Sequence, residues 1–317
     1  MAAKHPIVTV FGGTGFLGRY IISALAAQGA QIRIATRSPA RAFFLKPCGD
    51  VGQITAISCD IHDAHSVARA AAGSSHVINL VGTLNGGRGK NSFDSLHHLA
   101  AQRIAHAAAE AGVKNLIHIS ALGAGRHAAS AYARSKAEGE EAVRRAFPSA
   151  IILRPGLVFG PEDQFFNRFA RIARGSLLMP LPLGGRTRFQ PVYVGDIAQG
   201  LAHLVFSATP AVPADKIFEL AGPQVMTLRG MLELVMQTTG HHRAFMPLPA
   251  PLAKTVAALM AFCPAGKNRG LTFDQIRALG EDNVYSGQHG GFAELGISPV
   301  AMGGILPVYL AQYRRTA

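Results

Sequence analysis

The chain has 317 residues, of which 49% are hydrophobic and only 15% charged, and this composition excludes a disordered chain. Its net charge of +13 suits an anionic ligand, such as anionic lipid, an acidic protein or a phosphorylated cofactor. Nucleic acid is not expected, because the basic residues are scattered, Trp is absent and no nucleic-acid-binding motif occurs.

The cysteines and histidines indicate whether the protein binds a metal, and the apolar runs indicate where in the cell it is located. Cys48, Cys59 and Cys263 are odd in number and form no C-x-x-C pair, which favours reduced thiols and argues against a structural metal. None of the 13 histidines falls in a metal-binding pattern, so no metal is expected. The first residues lack the apolar core of a secretory signal, and no uncharged apolar run is long enough to span a membrane. We therefore expect a cytoplasmic protein that is at most peripheral to the inner face of a membrane.

The first element is a β-rich run, Ile7–Phe11, which leads directly into three spaced glycines and a helical pattern. Gly12 suits a tight turn, Gly15 a close approach of backbone N–H groups to a pyrophosphate, and Gly18 close packing of helix on strand. The phosphates would then lie at the positive end of the helix. The spacing differs from that of ordinary dehydrogenases, but its place between a strand and a helix predicts a dinucleotide site rather than a mere connection. The residues of this predicted site are Gly12, Gly13, Thr14, Gly15, Phe16, Leu17 and Gly18.

The second predicted strand, Gln31–Ala35, ends where NAD enzymes place an acidic residue on the ribose 2′-OH. No Asp or Glu occurs between Gly12 and Gly49. Arg37 and Arg41 follow the strand instead, and a guanidinium can pair bidentately with a 2′-phosphate that a carboxylate would repel. NADP(H) is therefore favoured, with NAD(H) as the alternative. The alternative is that both arginines simply lie at the solvent-exposed start of a helix and bind no phosphate.

The third and fourth predicted strands are Ile54–Ser58 and His76–Leu80. Asp60, after the third, could accept a hydrogen bond from the adenine amino group or could cap the helix that begins near residues 62–65. A glycine-rich loop and a long helix at Phe93–Ala111 follow the fourth strand.

The fifth predicted strand, Leu116–Ile119, leads into Ser120 and then a helix that carries Tyr132 and Lys136. These two residues are four apart and share one face of the helix. A lysine ammonium near the phenol would lower the pKa of Tyr132 and could also bind a nicotinamide ribose. The phenol would then donate a proton to the substrate, or accept one from it, while a hydride is transferred. The candidate catalytic residues are therefore Tyr132, Lys136 and Ser120.

Together these motifs resemble the short-chain dehydrogenase/reductase superfamily, in its extended and atypical branch, over almost the whole chain. Later segments sharpen the resemblance to NADPH-binding accessory subunits of respiratory complex I and their bacterial relatives. These segments are residues 152–163, 190–198, 271–275, 281–284 and 292–297.

The resemblance implies an α/β fold, with a Rossmann-type doubly wound parallel sheet and a smaller C-terminal α/β lobe. Residues 1–156 would form the dinucleotide-binding domain, to which 190–206 would return, and 157–317 the smaller substrate or partner lobe. NADPH would be held by the glycine turn, Arg37, Tyr132 and Lys136. Its adenosine would be flanked by Asp60, Ile61 and the backbone of Asn79, Leu80 and Val81, and its nicotinamide by Pro155 and Val158.

One position departs from active extended reductases. Those enzymes carry a Ser or Thr shortly after the first serine that follows the fifth strand, and its hydroxyl binds the substrate carbonyl. Ala121 and Leu122 occupy that place here, and an apolar Leu cannot polarise a carbonyl. Either Ser120 substitutes from a shifted position or substrate reduction is impaired. The alternative role of Ser120 is a strand-end hydroxyl that is bonded to backbone.

The C-terminal part is predicted from periodicity and turn residues. Helices are expected at 165–174, at 196–206 with Asp196 as N-cap, and at 227–239 with Gly240 as C-cap. A loop is expected at 177–185, a strand that rejoins the main sheet at 190–194, and a stiff linker at 247–251. The apolar run 252–262 is either a core helix or a partner- or membrane-facing surface. Residues 299–313 suit docking near an anionic membrane.

Three functions are consistent with these residues. We favour an NADP(H)-binding accessory or assembly-type component of respiratory NADH dehydrogenase, with tightly bound cofactor and a partner in that complex or at the membrane surface. The alternative is an active NAD(P)-dependent oxidoreductase or epimerase that uses Tyr132 and Lys136 on a small carbonyl or sugar-like substrate. The third is a regulator that senses the redox state of bound NADP(H) without chemistry.

Overall fold

The computed structural model describes residues 5–207, 210–248 and 272–314. The strands of these ranges are β1 (Ile7–Phe11), β2 (Gln31–Thr36), β3 (Ile54–Ser58), β4 (His76–Asn79), β5 (Asn115–Ile119), β6 (Ile151–Pro155), β7 (Val158–Phe159), β8 (Leu178–Pro182), β9 (Arg188–Phe189), β10 (Val192–Tyr193), β11 (Ile217–Leu220), β12 (Met226–Thr227) and β13 (Ala244–Leu248). The α-helices are α1 (Phe16–Ala27), α2 (Ala64–Ala71), α3 (Ala100–Glu110), α4 (Ala131–Ala146), α5 (Phe166–Gly175), α6 (Val194–Phe206), α7 (Leu228–Thr239), α8 (Phe273–Ala278) and α9 (Met302–Tyr309).

Seven strands form one parallel sheet in the order β3-β2-β1-β4-β5-β6-β11. Val10 of β1 lies opposite Ile34 of β2 on one side and opposite Ile78 of β4 on the other. The strand order reverses direction between β1 and β4, and a crevice opens there at the carboxyl ends of the strands. The predicted Rossmann-type doubly wound sheet is therefore confirmed.

Helices cover both faces of this sheet, as its apolar strands require. On one face, Leu25 of α1 and Leu201 of α6 belong to one buried cluster with Val8 and Ile34 of the sheet. On the other face, side chains of α2, α3 and α4 pack against β4 and β5. The alanine-rich face of α3 lets the helices on this side approach closely.

A third apolar cluster holds the C-terminal part together. It contains Phe169 of α5, Leu232 of α7 and Leu306 of α9, all nearly or fully buried. The helices predicted at 165–174 and 227–239 are confirmed. Gly240 ends α7 with a φ of +70°, in the left-handed conformation expected of a C-cap glycine.

The seventh strand of the sheet was predicted in the wrong place. The short strand β10 pairs with β7 in a separate two-stranded sheet and does not rejoin the main sheet. The open edge of β6 is instead paired with β11, whose four residues are all buried. Pairing β11 with β6 satisfies the backbone groups along the edge of β6, and three of the four residues of β11 are apolar.

Three further C-terminal predictions are wrong. Residues 177–185 are not only a loop, since they contain β8, which pairs with β13 despite the prolines of both strands. Tyr193 is the N-cap of α6, whereas Asp196 lies in its first turn and accepts the N–H of Val300 at 2.8 Å. Residues 299–313 do not offer a broad apolar docking face, because Met302, Leu306 and Tyr309 are buried in the third cluster.

The linker predicted at 247–251 is wrong at its start, because Pro247 and Leu248 belong to β13 and pair with β8. Its remaining residues and the apolar run 252–262 lie outside the described residues. Within the ranges that are described, no helix is both long and apolar enough to cross a membrane.

Candidate functional site

The turn between β1 and α1 has the geometry that its glycines predict. Gly12 has a φ of +80°, and a Cβ there would come within 2.9 Å of the carbonyl carbon of Leu80. A Cβ at Gly18 would clash with the Gly13 carbonyl group, whose carbon would be 2.5 Å away. Helix α1 begins at Gly15 with no side-chain cap and no acidic residue in its first turn. Its N-terminal N–H groups can therefore receive an anion.

A cleft of about 910 Å³ lies at this turn and continues along the carboxyl ends of the central strands. Most of the predicted site residues line it: Gly12, Thr14, Gly15, Phe16, Leu17, Gly18, Arg37, Arg41, Ile61, Leu80, Val81, Ser120, Tyr132, Lys136, Pro155 and Val158. The fold thus brings together residues that are up to 146 positions apart, from Gly12 to Val158. The size of the cleft is in the range of cofactor and ligand sites.

Three predicted site residues, Gly13, Asp60 and Asn79, are absent from the described lining of the cleft. Gly13 faces the protein interior, where an added Cβ would be 2.9 Å from Cδ1 of Ile22. The Asn79 side chain accepts the N–H of Val81 and donates to His118 Nδ1, both at 3.0 Å, so it shapes the end of β4.

Asp60 does not cap α2. Its carboxylate accepts the N–H of His62 at 3.0 Å, while the N-cap of α2 is Asp63, which accepts from His65. This hydrogen bond, aided by Lys90, lowers the pKa of Asp60 below its usual value. A contact with adenine stays a prediction.

Arg37 and Arg41 line the cleft at the end of β2, and both are exposed. Neither forms an ion pair with any described residue, and the remaining segments of the chain contain no Asp or Glu. Both guanidinium groups are therefore available to an anionic ligand.

Tyr132 and Lys136 line the same part of the cleft, but they are not coupled in the way their spacing predicts. Lys136 is buried, and its Nζ donates to the carbonyl oxygen of Ile119 at 3.0 Å. Burial lowers the pKa of Lys136 to about 8 and raises the pKa of Tyr132 to about 12. The prediction of a lowered phenol pKa is therefore wrong for the protein alone, because the loss of solvation around the phenol dominates.

Ser120 and Leu122 occupy the wall next to this pair. The Ser120 hydroxyl is buried and has no hydrogen-bond partner among the described residues, so the alternative of a hydroxyl bonded to backbone is not what the structure shows. Leu122 is buried with 6% of its surface exposed, and its carbonyl oxygen accepts from Asn283 at 3.0 Å. The only hydroxyl at positions 120–122 is therefore that of Ser120.

His97 is a residue of the site whose role the sequence analysis missed. Its Nε2 accepts the N–H of Thr83 at 3.0 Å, so Nδ1 carries the proton that is donated to Ser135 Oγ at 2.8 Å. Burial, with the nearby Lys136 charge, lowers the pKa of His97 to about 3, so the ring is neutral. Its edge-on contact with the Tyr132 ring, at 5.5 Å between centroids, helps to place the phenol.

The segment that holds His97 is a π-helix, Asp94–Leu99, within the helix predicted at Phe93–Ala111. Gly139 of α4 packs against it so closely that a Cβ would clash with the His97 carbonyl oxygen. A glycine in the middle of α4 was the signal in the sequence for this close approach.

The C-terminal segment also supplies residues of the cleft whose contacts the sequence analysis did not predict. Asp274, Gln275 and Asn283 line the cleft. Asp274 accepts the N–H groups of Ala131 and Tyr132 at 2.6 and 2.9 Å, so a distant part of the chain helps to satisfy the first turn of α4 beside its own N-cap, Ser130. The signal that was available is the pattern T-x-x-Q from Thr272 to Gln275, which forms a capping box at the start of α8.

Curated relatives match nearly the whole chain. The mitochondrial NADH dehydrogenase (ubiquinone) 1 alpha subcomplex subunit 9 of Arabidopsis thaliana is 34% identical over 316 residues, which cover 98% of this chain and 78% of that protein. The subunit of the same name from Mus musculus is 36% identical over 306 residues, covering 93% of this chain and 77% of that protein.

The fold is also similar to that of solved enzymes. The NADPH-dependent quinone oxidoreductase QOR2 of Escherichia coli, complexed with NADPH, matches with a TM-score of 0.71 and 19% identity, over 96% of this chain and 98% of that one. At this identity the likeness concerns the fold alone. The family described as "NAD dependent epimerase/dehydratase family" matches residues 8–220, which contain the glycine turn, Tyr132 and Lys136. This chain belongs to the NAD dependent epimerase/dehydratase family.

Proposed function

We propose that the cleft binds NADP(H) and that the chain holds this nucleotide as an accessory component of a respiratory NADH dehydrogenase. The observation that carries the proposal is the geometry of the glycine turn. The first N–H groups of α1 have no side-chain cap, and the backbone around Gly12 and Gly18 is packed so closely that neither position has room for a Cβ. This arrangement fits a pyrophosphate. Lys136 would hold the nicotinamide ribose, and Tyr132 and Ser120 would lie at the reactive end.

The preference for the phosphorylated nucleotide rests on Arg37 and Arg41. Both line the end of the cleft next to β2, where a carboxylate on the ribose 2′-OH would mark an NAD site. An exposed guanidinium with no acidic partner can pair with a 2′-phosphate through two hydrogen bonds. Arg37, which follows β2 directly, is the principal candidate.

Two features support a held nucleotide rather than turnover. Leu122 brings a buried apolar side chain to the wall where a carbonyl-binding hydroxyl is expected. In the protein without nucleotide, burial raises the pKa of the Tyr132 phenol to about 12, so that the phenol is a weak acid and its phenolate is scarce at neutral pH. The relatives at 34% and 36% identity are NADH dehydrogenase subunits by name, and this supports a respiratory complex as the partner and a position at a membrane surface.

The proposal is tested by isolating the untagged protein in its native complexes. Mass spectrometry of the nucleotide released from purified protein should find NADP⁺ or NADPH in near-stoichiometric amount. On native gels the protein should co-migrate with NADH dehydrogenase activity. Protein that carries no nucleotide and binds none would exclude the first half of the proposal, and migration only as a free chain would exclude the second.

An active oxidoreductase is favoured by one observation, the buried Ser120 hydroxyl that has no partner among the described residues and lines the cleft. A bound nicotinamide would supply or accept a hydride there, while Ser120 binds a carbonyl oxygen and Tyr132 moves the proton. A panel of small carbonyl and sugar-like substrates tests this function. Turnover that is lost in Tyr132→Phe would support it, and no turnover across the panel would argue against it.

A further inference from the structure

Helix α5 carries three arginines, Arg168, Arg171 and Arg174, at a spacing of three, so that they follow one another along the helix surface. Phe166, Phe169, Ala170 and Ala173 bury the other side of α5 in the third cluster. The arginines are therefore held by a well-packed helix.

Arg168 lies where two cavities meet. It lines the nucleotide cleft, and it also lines a neighbouring cavity of about 370 Å³, whose wall includes Arg171. Glu162 and Gln164 are common to both cavities as well. The two cavities therefore share the wall that carries Arg168, and Arg171 lies in the smaller one.

Neither guanidinium is neutralised by the protein. Arg168 and Arg171 make no hydrogen bond or ion pair within the described ranges, and the segments outside them contain no Asp or Glu. Arg168 is half-buried, and this burial together with the like charge of Arg171 lowers its pKa. Two adjacent cations with one of them partly desolvated would be stabilised by an anion.

The nearby carboxylates are already engaged. Glu162 accepts from Arg19 Nη1 at 2.8 Å and from the Tyr20 hydroxyl at 2.7 Å. Asp163 accepts the N–H of Phe166 at 2.6 Å and the hydroxyl of Tyr309. Glu162 is therefore paired with a cation, whereas Asp163 is buried among neutral donors and burial raises its pKa. Arg168 and Arg171 are the cationic side chains that line the smaller cavity.

Part of the wall of the cleft is apolar. Leu122, Phe165, Phe189 and Leu279 all line it, and three of them are less than 9% exposed. This wall suits a hydrocarbon group, because it removes apolar surface from water.

We propose that Arg168 and Arg171 form an oxyanion-binding subsite for an amphipathic small molecule, whose phosphate or carboxylate pairs with the arginines and whose apolar part lies on the wall of Leu122, Phe165, Phe189 and Leu279. This ligand class deepens the proposed function, since it rests on the nucleotide cleft as the ligand site. The proposal names the class of molecule that would bind in the cleft beside the nucleotide.

The test uses the full chain saturated with NADPH and decyl phosphate as the probe, below its micelle concentration, in isothermal titration calorimetry. Inorganic phosphate and decanol are the comparison probes, since each has only one half of the proposed chemistry. We expect decyl phosphate to bind at least about 10-fold more tightly than either. Arg168→Gln should weaken decyl phosphate binding by about 10-fold or more, as expected for a charge-assisted pair.

The matched control is Arg174→Gln, because Arg174 is on the same helix and stacks on Tyr313 but is not in the described lining of either cavity. It should leave the affinity for decyl phosphate unchanged. Equal losses in both variants would indicate a general charge effect and would overturn the subsite, as would an unchanged affinity in Arg168→Gln.

The outcomes separate this inference from the proposed function. If NADPH binds but decyl phosphate does not, the subsite is wrong and the nucleotide proposal stands. If NADPH does not bind, the nucleotide proposal fails, and titration of decyl phosphate into the nucleotide-free protein still decides the subsite.

Discussion

The carboxylate of Asp274 accepts the backbone N–H of Tyr132 at 2.9 Å, although the two residues are 142 positions apart. The other carboxylate oxygen accepts the N–H of Ala131 at 2.6 Å. The first turn of the helix that presents Tyr132 to the cleft is therefore held by a side chain from the C-terminal part as well as by its own N-cap, Ser130. Its position depends on the packing of that part against the sheet.

Loss of these two hydrogen bonds should weaken both the fold and the nucleotide site. Asp274→Ala removes the acceptor for two N–H groups, and we expect the free energy of unfolding in urea to fall by about 1–3 kcal/mol. The Kd for NADPH should rise about 3- to 10-fold, because part of this energy holds Tyr132 and Lys136 in place. The control is Asp282→Ala, since Asp282 accepts from Arg188 rather than from α4. A similar rise of Kd in the control would contradict a specific role of Asp274.

Gly18→Ala should abolish nucleotide binding and destabilise the protein by about 2 kcal/mol or more, because its Cβ would clash with the backbone of Gly13. Calorimetric titration with NADPH and urea unfolding measure the two effects. Gly304→Ala in α9 is the control, because within the described part of the chain no atom beyond the adjacent helix backbone lies within 4 Å of the added Cβ. The control should be neutral or stabilising by up to about 1 kcal/mol. Normal NADPH binding by Gly18→Ala would show that the turn does not hold the nucleotide.

Arg37→Gln should reduce the preference for NADPH over NADH by about 10- to 100-fold, because the lost contact is a charge-assisted hydrogen-bond pair. The ratio of the two Kd values, measured by nicotinamide fluorescence, gives this change directly. Arg69→Gln removes an exposed charge on α2 outside the described lining of the cleft and serves as the control. A ratio that falls equally in both variants would attribute the preference to net charge.

Buried neutral histidines should make the protein sensitive to acid. Burial lowers the pKa of His97 to about 3 and of His76 to about 4, and it holds the pKa of His118 well below its usual value. As the pH falls from about 6.5 toward 4, the unfolded chain takes up protons that the folded chain does not. Each such histidine then costs up to about 1.4 kcal/mol of stability per pH unit.

The measurement is urea unfolding at several pH values between 7 and 4.5. The variant His76→Asn removes one of the three groups, and its stability should fall less steeply with acid than that of the parent protein. Parallel pH profiles of the two proteins would show that His76 takes up its proton equally in both states.

The sequence alone was sufficient for the first five strands of the sheet and for most of the residues that line the cleft. The five strands from β1 to β5 follow from short apolar runs that end in turn residues, and the glycine turn follows from steric limits at single positions. The parallel arrangement then places every carboxyl end at one edge. Sequence patterns failed where pairing between distant segments decides the structure. The example is β11, which forms a strand by pairing with the open edge of β6.

The sequence by itself predicted a dinucleotide site, because the glycine spacing after β1 is a local property of the chain, and the preference for NADP(H) stays a prediction. Only the tertiary structure decided what surrounds the reactive groups. The raised pKa of Tyr132, the hydroxyl of Ser120 left without a described partner and the two hydrogen bonds to Asp274 all arise from contacts between distant segments. Solvation and hydrogen-bond partners depend on the folded neighbourhood of a residue, and its position in the chain does not reveal them.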